Sequence, residues 1–360
     1  MERKNATSQS INDLLEASSN LEKNIDDDDH FRPKDKKTFT LKHKLIPNQL
    51  LRLKTNHYIG KIVLATLSLL FFIWLIFNGY RFTRSSSPKI VMVLAVNNGG
   101  GVERWKTPEE WSLERTSIAN KKDYAERHGY ALTLKDTTLK RRYSHEWREG
   151  WERVDILRQT MREYPDAEWF WWLDQNTFIM EPEIDLTSYL LRNIDKKAYR
   201  TINYFNPQDI TAEAPYVDTT TSPINMIITQ DCNGFNLNSF LIRKSEWSEL
   251  LLDAWWDPVL YEQMHMVWER REASCLEVLY SHQPWIRESM AFVPIKAINS
   301  LTKGNCWDQK DDKTLFYNKN DRDFLANLDG CNNGDRSCWN EFEYYKKLRN
   351  ELHKAWYKFW

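Results

Sequence analysis

The stretch Trp171-Trp172-Leu173-Asp174-Gln175-Asn176 ends a dense aromatic run on a carboxylate, and this junction is where chemistry is most readable in the chain. An aspartate just past a strand buried on both faces lies at the carboxyl edge of a sheet, where open α/β folds bind ligands. Two oxygen-bearing side chains one residue apart can ligate a hard divalent cation, and such a cation neutralises a diphosphate. Asn176 can offer an amide oxygen to that cation but brings no charge. The plainer reading of Asp174 is a cap on the next turn. His265 and His282 have no partner at metal spacing, and structural roles suit them better.

The elements that must position this junction follow from patterning. Lys89 to Val96 is a continuous apolar run, the mark of a strand buried on both faces. Asn97 to Gly101 follows as a loop, whose glycines permit a tight turn whatever the function. Thr107-Pro108-Glu109-Glu110 reads as a capping box with proline at the first helical position, and Gly129 stops that helix. Tyr130 to Leu134 completes a β-α-β unit. A second helix is expected over 146–164, an aromatic strand over 168–173, and short strands over 225–229 and 239–243. Further helices are expected over 247–256, 267–280 and from Cys338 onward.

The chain has 360 residues and a net charge near −1, which offers no footing for nucleic acid. Residues 1–57 are polar and aperiodic and read as a disordered tail. Residues 58–80 hold an apolar run from Ile62 to Phe77 without charge, close to the length a bilayer demands. Lys42, Lys44, Arg52, Lys54 and Lys61 precede it, while Arg81, Arg84 and Lys89 follow. That bias leaves the tail in the cytosol and the C-terminal part across the membrane. Residues 81–88 form a short stem, and 89–360 leave room for one large domain. All five cysteines follow the anchor, where disulfides are permitted. Five is odd, so one thiol stays free or pairs between chains, and Cys331 and Cys338 are near enough to close a short loop. Most of the 17 tryptophans are expected in the core, although clustered Trp also suits sugar-ring stacking.

Several blocks together resemble glycosyltransferase family 34, above all its fission-yeast-type Golgi α-1,2-galactosyltransferases. They include LAVNNGGGVERWKTPEEW (94–111), KRRYSHEWREGWERVDIL (140–157), YPDAEWFWWLD (164–174), ITQDCNGFNLNSFLIRKSEW (228–247), HQPWIR (282–287) and DRDFLANLDGC (321–331). The resemblance covers nearly all of 89–345. It implies a GT-A fold, an α/β Rossmann-like glycosyltransferase domain behind a transmembrane signal-anchor, in a single-pass type II protein of the Golgi membrane. It implies retaining transfer of galactose from UDP-galactose to a mannose-rich glycan, with Mn2+ as cofactor and a possible complex with related transferases. By the same resemblance Val96, Asn97, Asp174, Asn176, Ser239 and Gln283 bind the nucleotide sugar. Asp231 and Asn236 serve catalysis, and Asp174, Asn176 and Asn327 hold the metal.

The chain departs from the family pattern at one place after another in that site. Asn176 replaces a second aspartate, Asn238 a glycine, and Asn327 a metal-binding histidine. The Glu272-Ala273-Ser274 helix lacks a glutamine that relatives carry. Together these changes remove charge and hydrogen bonding. Two alternatives stay open: a non-catalytic relative that binds glycan or partners active enzymes, and an α-mannosyltransferase that uses GDP-mannose.

Overall fold

A computed structural model describes residues 64–72, 74, 89–96, 106–137, 151–202, 205–210, 222–264, 271–306 and 312–354. The chain divides into two compact units, 1–81 and 82–360. In the first, residues 64–72 and 74 are helical and exposed. No helix among the described residues is long and apolar enough to cross a membrane. The tail, the stem and more than half of the anchor 58–80 lie outside the described residues.

In the second unit the expected β-α-β start is present. Strand β1 (Ile90–Val96) is buried almost throughout. Helix α1 (Pro108–His128) begins with the complete capping box, Thr107 accepting from the Glu110 amide and Glu110 reaching back. It ends on Gly129 at φ 70°, a left-handed conformation that a glycine adopts without steric cost. Strand β2 (Ala131–Asp136) follows, then α2 (Glu152–Glu163) and the aromatic strand β3 (Trp169–Leu173), every residue of which is buried. A three-residue strand β4 (Thr177–Ile179) leaves the turn after β3.

The two later strands are longer than patterning suggests. β5 (Met226–Asp231) and β6 (Gly234–Arg243) form one hairpin. Polar Gln230, Asn236 and Asn238 hide its extent from a hydrophobicity reading, although Phe235 and Leu237, alternating with the asparagines, are buried in the core there. Helices α3 (Glu246–Trp255), α4 (Pro258–Met264), α5 (Arg271–His282) and α6 (Pro284–Ser289) lead to β7 (Met290–Phe292). Short strands β8 (Ser300–Leu301) and β9 (Leu325–Asn327) precede the last helix, α7 (Cys338–Leu352).

The main sheet runs β2-β1-β3-β6-β5-β7, and a small sheet runs β4-β9-β8. Only β6 opposes its neighbours in the main sheet. The carboxyl ends of β1, β3 and β5 therefore share one edge with the start of β6. That edge collects Val96, Asp174 and the Asp231–Gly234 turn.

Period-two alternation splits the strands between two cores. Val91, Val93, Phe170 and Trp172 face α2, α3 and α5. Ile90, Met92, Trp169 and Trp171 face Tyr124 of α1 and Phe324. A third core joins Phe178 and Leu328 to Phe342 of α7 beside the Cys331–Cys338 disulfide. Tryptophans with almost no exposed surface, such as Trp171 and Trp255, each contribute roughly 3–5 kcal/mol, but among the described residues only Trp151, Trp169, Trp171, Trp172 and Trp255 are buried, fewer than the composition leads one to expect. A second disulfide joins Cys232 to Cys306, and Cys275 is a buried free thiol.

Candidate active site

The Asp174 turn is held from below by one face of α1. Ser117, Asn120, Lys121 and Tyr124 stand at helical i, i+3, i+4 and i+7 spacing, so they share that face. Ser117 Oγ donates to the Gln175 carbonyl at 2.6 Å. Lys121 Nζ donates to Ser117 Oγ at 2.7 Å and to the Thr177 carbonyl. Asn120 bonds both the carbonyl (2.9 Å) and the amide (2.8 Å) of Ile179. Tyr124 Oη donates to the Ile184 carbonyl at 2.8 Å. Lys121 is completely buried. Burial pulls its ammonium down to about 7, against the attraction of Asp174.

Above the turn sits a buried charge cluster. Asp174 Oδ1 accepts the Trp172 indole N–H at 2.6 Å, and its backbone amide donates to the Asn238 carbonyl at 2.8 Å. Arg153 of α2 stands 3.7 Å from Asp174 Oδ2 and 3.1 Å from Glu272 of α5. Its Nη1 donates to the Leu237 carbonyl at 2.8 Å, and the guanidinium lies over the Trp172 ring, 5.4 Å from its centre. Burial pushes the Asp174 carboxyl up to about 6; Arg153 and the Trp172 indole oppose the shift, while Asp329 and Glu272 add to it. For Arg153 burial works against the charged form, but Glu272 and Asp174 hold its pKa above the ordinary value. The Arg153 guanidinium and the Asp174 and Glu272 carboxylates are each less than a fifth exposed, which strengthens the charge interactions between them, whereas Asp329 is exposed.

The residues expected in the site meet different fates. Val96 lies at the shared edge, with its carbonyl accepting from both the amide and the hydroxyl of Thr137; Asn97 lies outside the described residues. Asp231 is engaged within its own turn, accepting from the Asn233 amide (2.7 Å) and Asn236 Nδ2 (2.6 Å). Asn236 Oδ1 in turn accepts from Asn299 Nδ2 (2.6 Å) and the Asn238 amide (3.0 Å). Ser239 has no exposed surface and its hydroxyl accepts from the Trp171 indole at 3.0 Å, so it is part of the core and not a sugar contact. Gln283 is exposed at the start of α6, before a strand whose Met290 pairs with Met226 at the opposite edge of the sheet. From Glu272, eleven helical residues at about 1.5 Å each carry it roughly 16 Å away from the charge cluster. It is not brought to the site.

Asn327, expected as a metal ligand, has its side-chain oxygen taken up as a hydrogen-bond acceptor. Its Oδ1 already accepts from Asn238 Nδ2 (3.4 Å) and the Asp329 amide (2.9 Å), while its buried Nδ2 has no acceptor. Asn176 gives its backbone carbonyl to the Leu328 amide at 2.8 Å. The expected cation set thus supplies one formal negative charge, on Asp174, and Arg153 already faces it. Among the described residues no three His, Cys, Asp or Glu side chains could hold a metal ion together. This donor set does not fit a resident divalent cation.

Sequence reading passed over Lys121, Arg153, Glu272 and Asp329 as site residues. The stripe Ser117-Asn120-Lys121-Tyr124 carried a usable signal, since the buried face of that helix is polar. Arg153 carried none, because an arginine near the start of a helix is ordinarily solvated.

The arrangement can hold a polar ligand. Arg153 provides fixed positive charge, and buried polar atoms without partners (Gln175 Oε1, Asn327 Nδ2 and both side-chain atoms of Gln230) lie along the same edge. Residues 86–339 match the galactosyl transferase GMA12/MNN10 family. The chain is 54% identical over 273 residues to a probable alpha-1,6-mannosyltransferase, MNN10, of Saccharomyces cerevisiae, covering 76% of this chain and 69% of that protein. It is 45% identical over 296 residues to an uncharacterized alpha-1,2-galactosyltransferase of Schizosaccharomyces pombe, covering 80% and 84%. Among solved structures, a glycosyltransferase involved in the glycosylation of the major capsid of PBCV-1 is similar at a TM-score of 0.45 and 14% identity, covering 72% of this chain and 100% of that one. Since the family match takes in the whole sheet and the charge cluster at its edge, the chain belongs to the galactosyl transferase GMA12/MNN10 family of glycosyltransferases.

Proposed function

We propose that this glycosyltransferase moves a hexose from a nucleoside-diphosphate sugar to a mannose-containing glycan, with retention at the anomeric carbon. The observation that carries the reading is the buried Arg153–Asp174–Glu272 cluster at the carboxyl edge of the sheet. In the reaction the bond between the anomeric carbon and the diphosphate oxygen breaks, and a bond to the acceptor oxygen forms on the same face. The acceptor proton passes to the departing phosphate. Such catalysis needs positioning and a fixed countercharge more than a titrating base. Arg153 is that countercharge, and Asp174 and Glu272 hold its fork in place.

The 54% identity to a mannosyltransferase favours mannose, as its GDP derivative, over the galactose that the sequence resemblance implies. The 45% identity to a galactosyltransferase keeps UDP-galactose as the second reading. The apolar segment within 58–80 supports a Golgi-membrane setting with the 89–360 domain in the lumen.

The test is a transfer assay on detergent-solubilised full chain with GDP-mannose and UDP-galactose in parallel, against an α-mannose disaccharide. Mannosyl product is expected, with Asp174→Ala abolishing it. Galactosyl product alone selects the second reading. No product from either donor, with no melting shift on adding nucleotide sugar, overturns the enzymatic reading.

A further inference from the structure

A hollow adjoins the β8 edge of the small sheet, the edge remote from β4 and the Asp174 turn. A cleft of about 520 Å³ opens between α7 and the segments at Thr302–Lys303 and Tyr317–Lys319. That volume is within the range of small-ligand sites. Tyr344 stands at its rim with 58% of its surface exposed. Its ring is braced edge-on by Tyr345, centroids 5.1 Å apart at 86°, and Tyr345 is braced in turn by Tyr317 at 5.4 Å and 88°. The exposed ring is therefore presented by a fixed stack rather than a loose side chain. Such an aromatic offers contact area at low entropic cost. Asn340 and Lys303 border the cleft with exposed amide and ammonium groups. Tyr317 lines it too, and its hydroxyl is buried without a hydrogen-bond partner.

The cleft does not end at Tyr344. Asn340 and Tyr344 also line a second hollow of about 630 Å³ that continues along α7 past Lys347. A ligand crossing the ring would be long. The cleft is also tied to the reaction edge. The Thr302 amide bonds the Asn327 carbonyl at 3.0 Å, and Asn327 pairs with Thr177 just beyond the Asp174 turn. Two strand spacings of about 4.8 Å put Thr302 roughly 10 Å from that turn.

We infer that the Tyr344 cleft binds the part of an oligosaccharide acceptor remote from the sugar that reacts, an inference that rests on the glycan-acceptor reading above. The apolar face of a pyranose ring stacks on the tyrosine, and its hydroxyls take the amide and ammonium groups around it. An extended α-linked mannan carries hydroxyls on every residue that can take the asparagine, lysine and glutamate groups bordering the two hollows, and a single sugar does not bridge from them to the turn.

Tyr344 is a surface residue, so its replacement leaves the fold intact. Calorimetric titration of the full chain with α-linked mannopentaose is expected to show binding that Tyr344→Ala weakens at least fivefold. Tyr344→Trp, which keeps a stacking face, retains it. In the transfer assay the KM for the pentasaccharide rises in the alanine variant by the same factor, and the KM for the disaccharide stays level. Unchanged pentasaccharide affinity in Tyr344→Ala, absent affinity in the unaltered chain, or equal loss in the tryptophan variant overturns the inference; a cleft built for a protein partner gives the first of these. Because titration needs no turnover, tyrosine-dependent binding in a chain without transfer sinks the donor reading and leaves this one standing.

Discussion

The two edges of the main sheet treat polar groups in opposite ways. At the edge holding Arg243 the fold meets its own needs. Arg243 pairs with Glu168 at 2.9 Å, Lys244 Nζ donates to the Pro165 carbonyl at 2.8 Å, and Ser245 caps α3 through the Ser248 amide. These groups are at least partly in water, where ion pairs contribute little. At the Asp174 edge the central charges are largely removed from water and the matching of buried polar atoms is incomplete. Arg153 Nε, Gln175 Oε1, Gln230 Nε2, Asn299 Oδ1 and Asn327 Nδ2 are all buried without partners. Buried polar atoms are ordinarily satisfied, and each that is not costs about 1–3 kcal/mol. Buried unpartnered atoms gather at the edge where a ligand can return their cost, although single ones such as Arg287 Nε and Tyr317 Oη lie elsewhere.

The sharpest way to break this contrast is to remove the central charge. Arg153→Leu leaves Asp174 and Glu272 buried without their cation, and should cost about 3–5 kcal/mol, read as a lowered denaturant midpoint. The same change at Arg243 should cost less than about 1 kcal/mol. Next is the support beneath the turn. Lys121→Met frees the Thr177 carbonyl, and a turn displaced by about 1 Å loses up to about 10²-fold in kcat; an unchanged kcat in steady-state assays removes Lys121 from the positioning set.

The third test uses pH. Burial holds the Asp174 carboxyl near 6, above its ordinary 3.8. The folded chain therefore keeps this proton longer than the unfolded chain does, and stability falls as pH rises from about 4 through about 6. Asp174→Asn escapes that loss. It should melt higher than the unaltered chain at pH 7.5 and level with it at pH 4, by scanning calorimetry, while transfer disappears. A fourth test restores the missing carboxylate. Asn176→Asp should acquire a manganese-dependent rise in melting temperature of a few degrees that the unaltered chain lacks. The smallest effect is expected at the far edge, where Gln283→Ala should change neither the KM for donor nor stability by more than about 0.5 kcal/mol.

Much of the frame was legible beforehand because it is written in local terms. Pro108, Thr107, Glu110 and Gly129 bound α1 by capping chemistry that acts within a few residues. The apolar runs of β1 and β3 mark strands covered on both faces, and Asp174 just past the second falls at the ligand edge. The hairpin β5–β6 was read short because its polar end is held by partners distant in sequence, such as Asn299, 63 residues from Asn236. Ser239 and Gln283 were placed in the site by resemblance, but one faces the core and the other stands at the opposite edge. The Asn327 oxygen, the atom a cation would need, is occupied by the Asn238 amide group and the Asp329 amide, neighbours that sequence does not show.

By itself, then, the sequence determined where the strands and capped helices lie, that an apolar segment precedes the domain, and that one carboxylate closes the aromatic strand. These depend on periodicity and on contacts within a turn or two. Only the tertiary structure decided which charges meet that carboxylate. Arg153, Glu272 and Asp329 come from three separate segments, and Lys121 reaches the turn from below. Burial then sets the energies, because the same groups in water would interact weakly, whereas largely out of water their pairing governs the ionisation of Asp174.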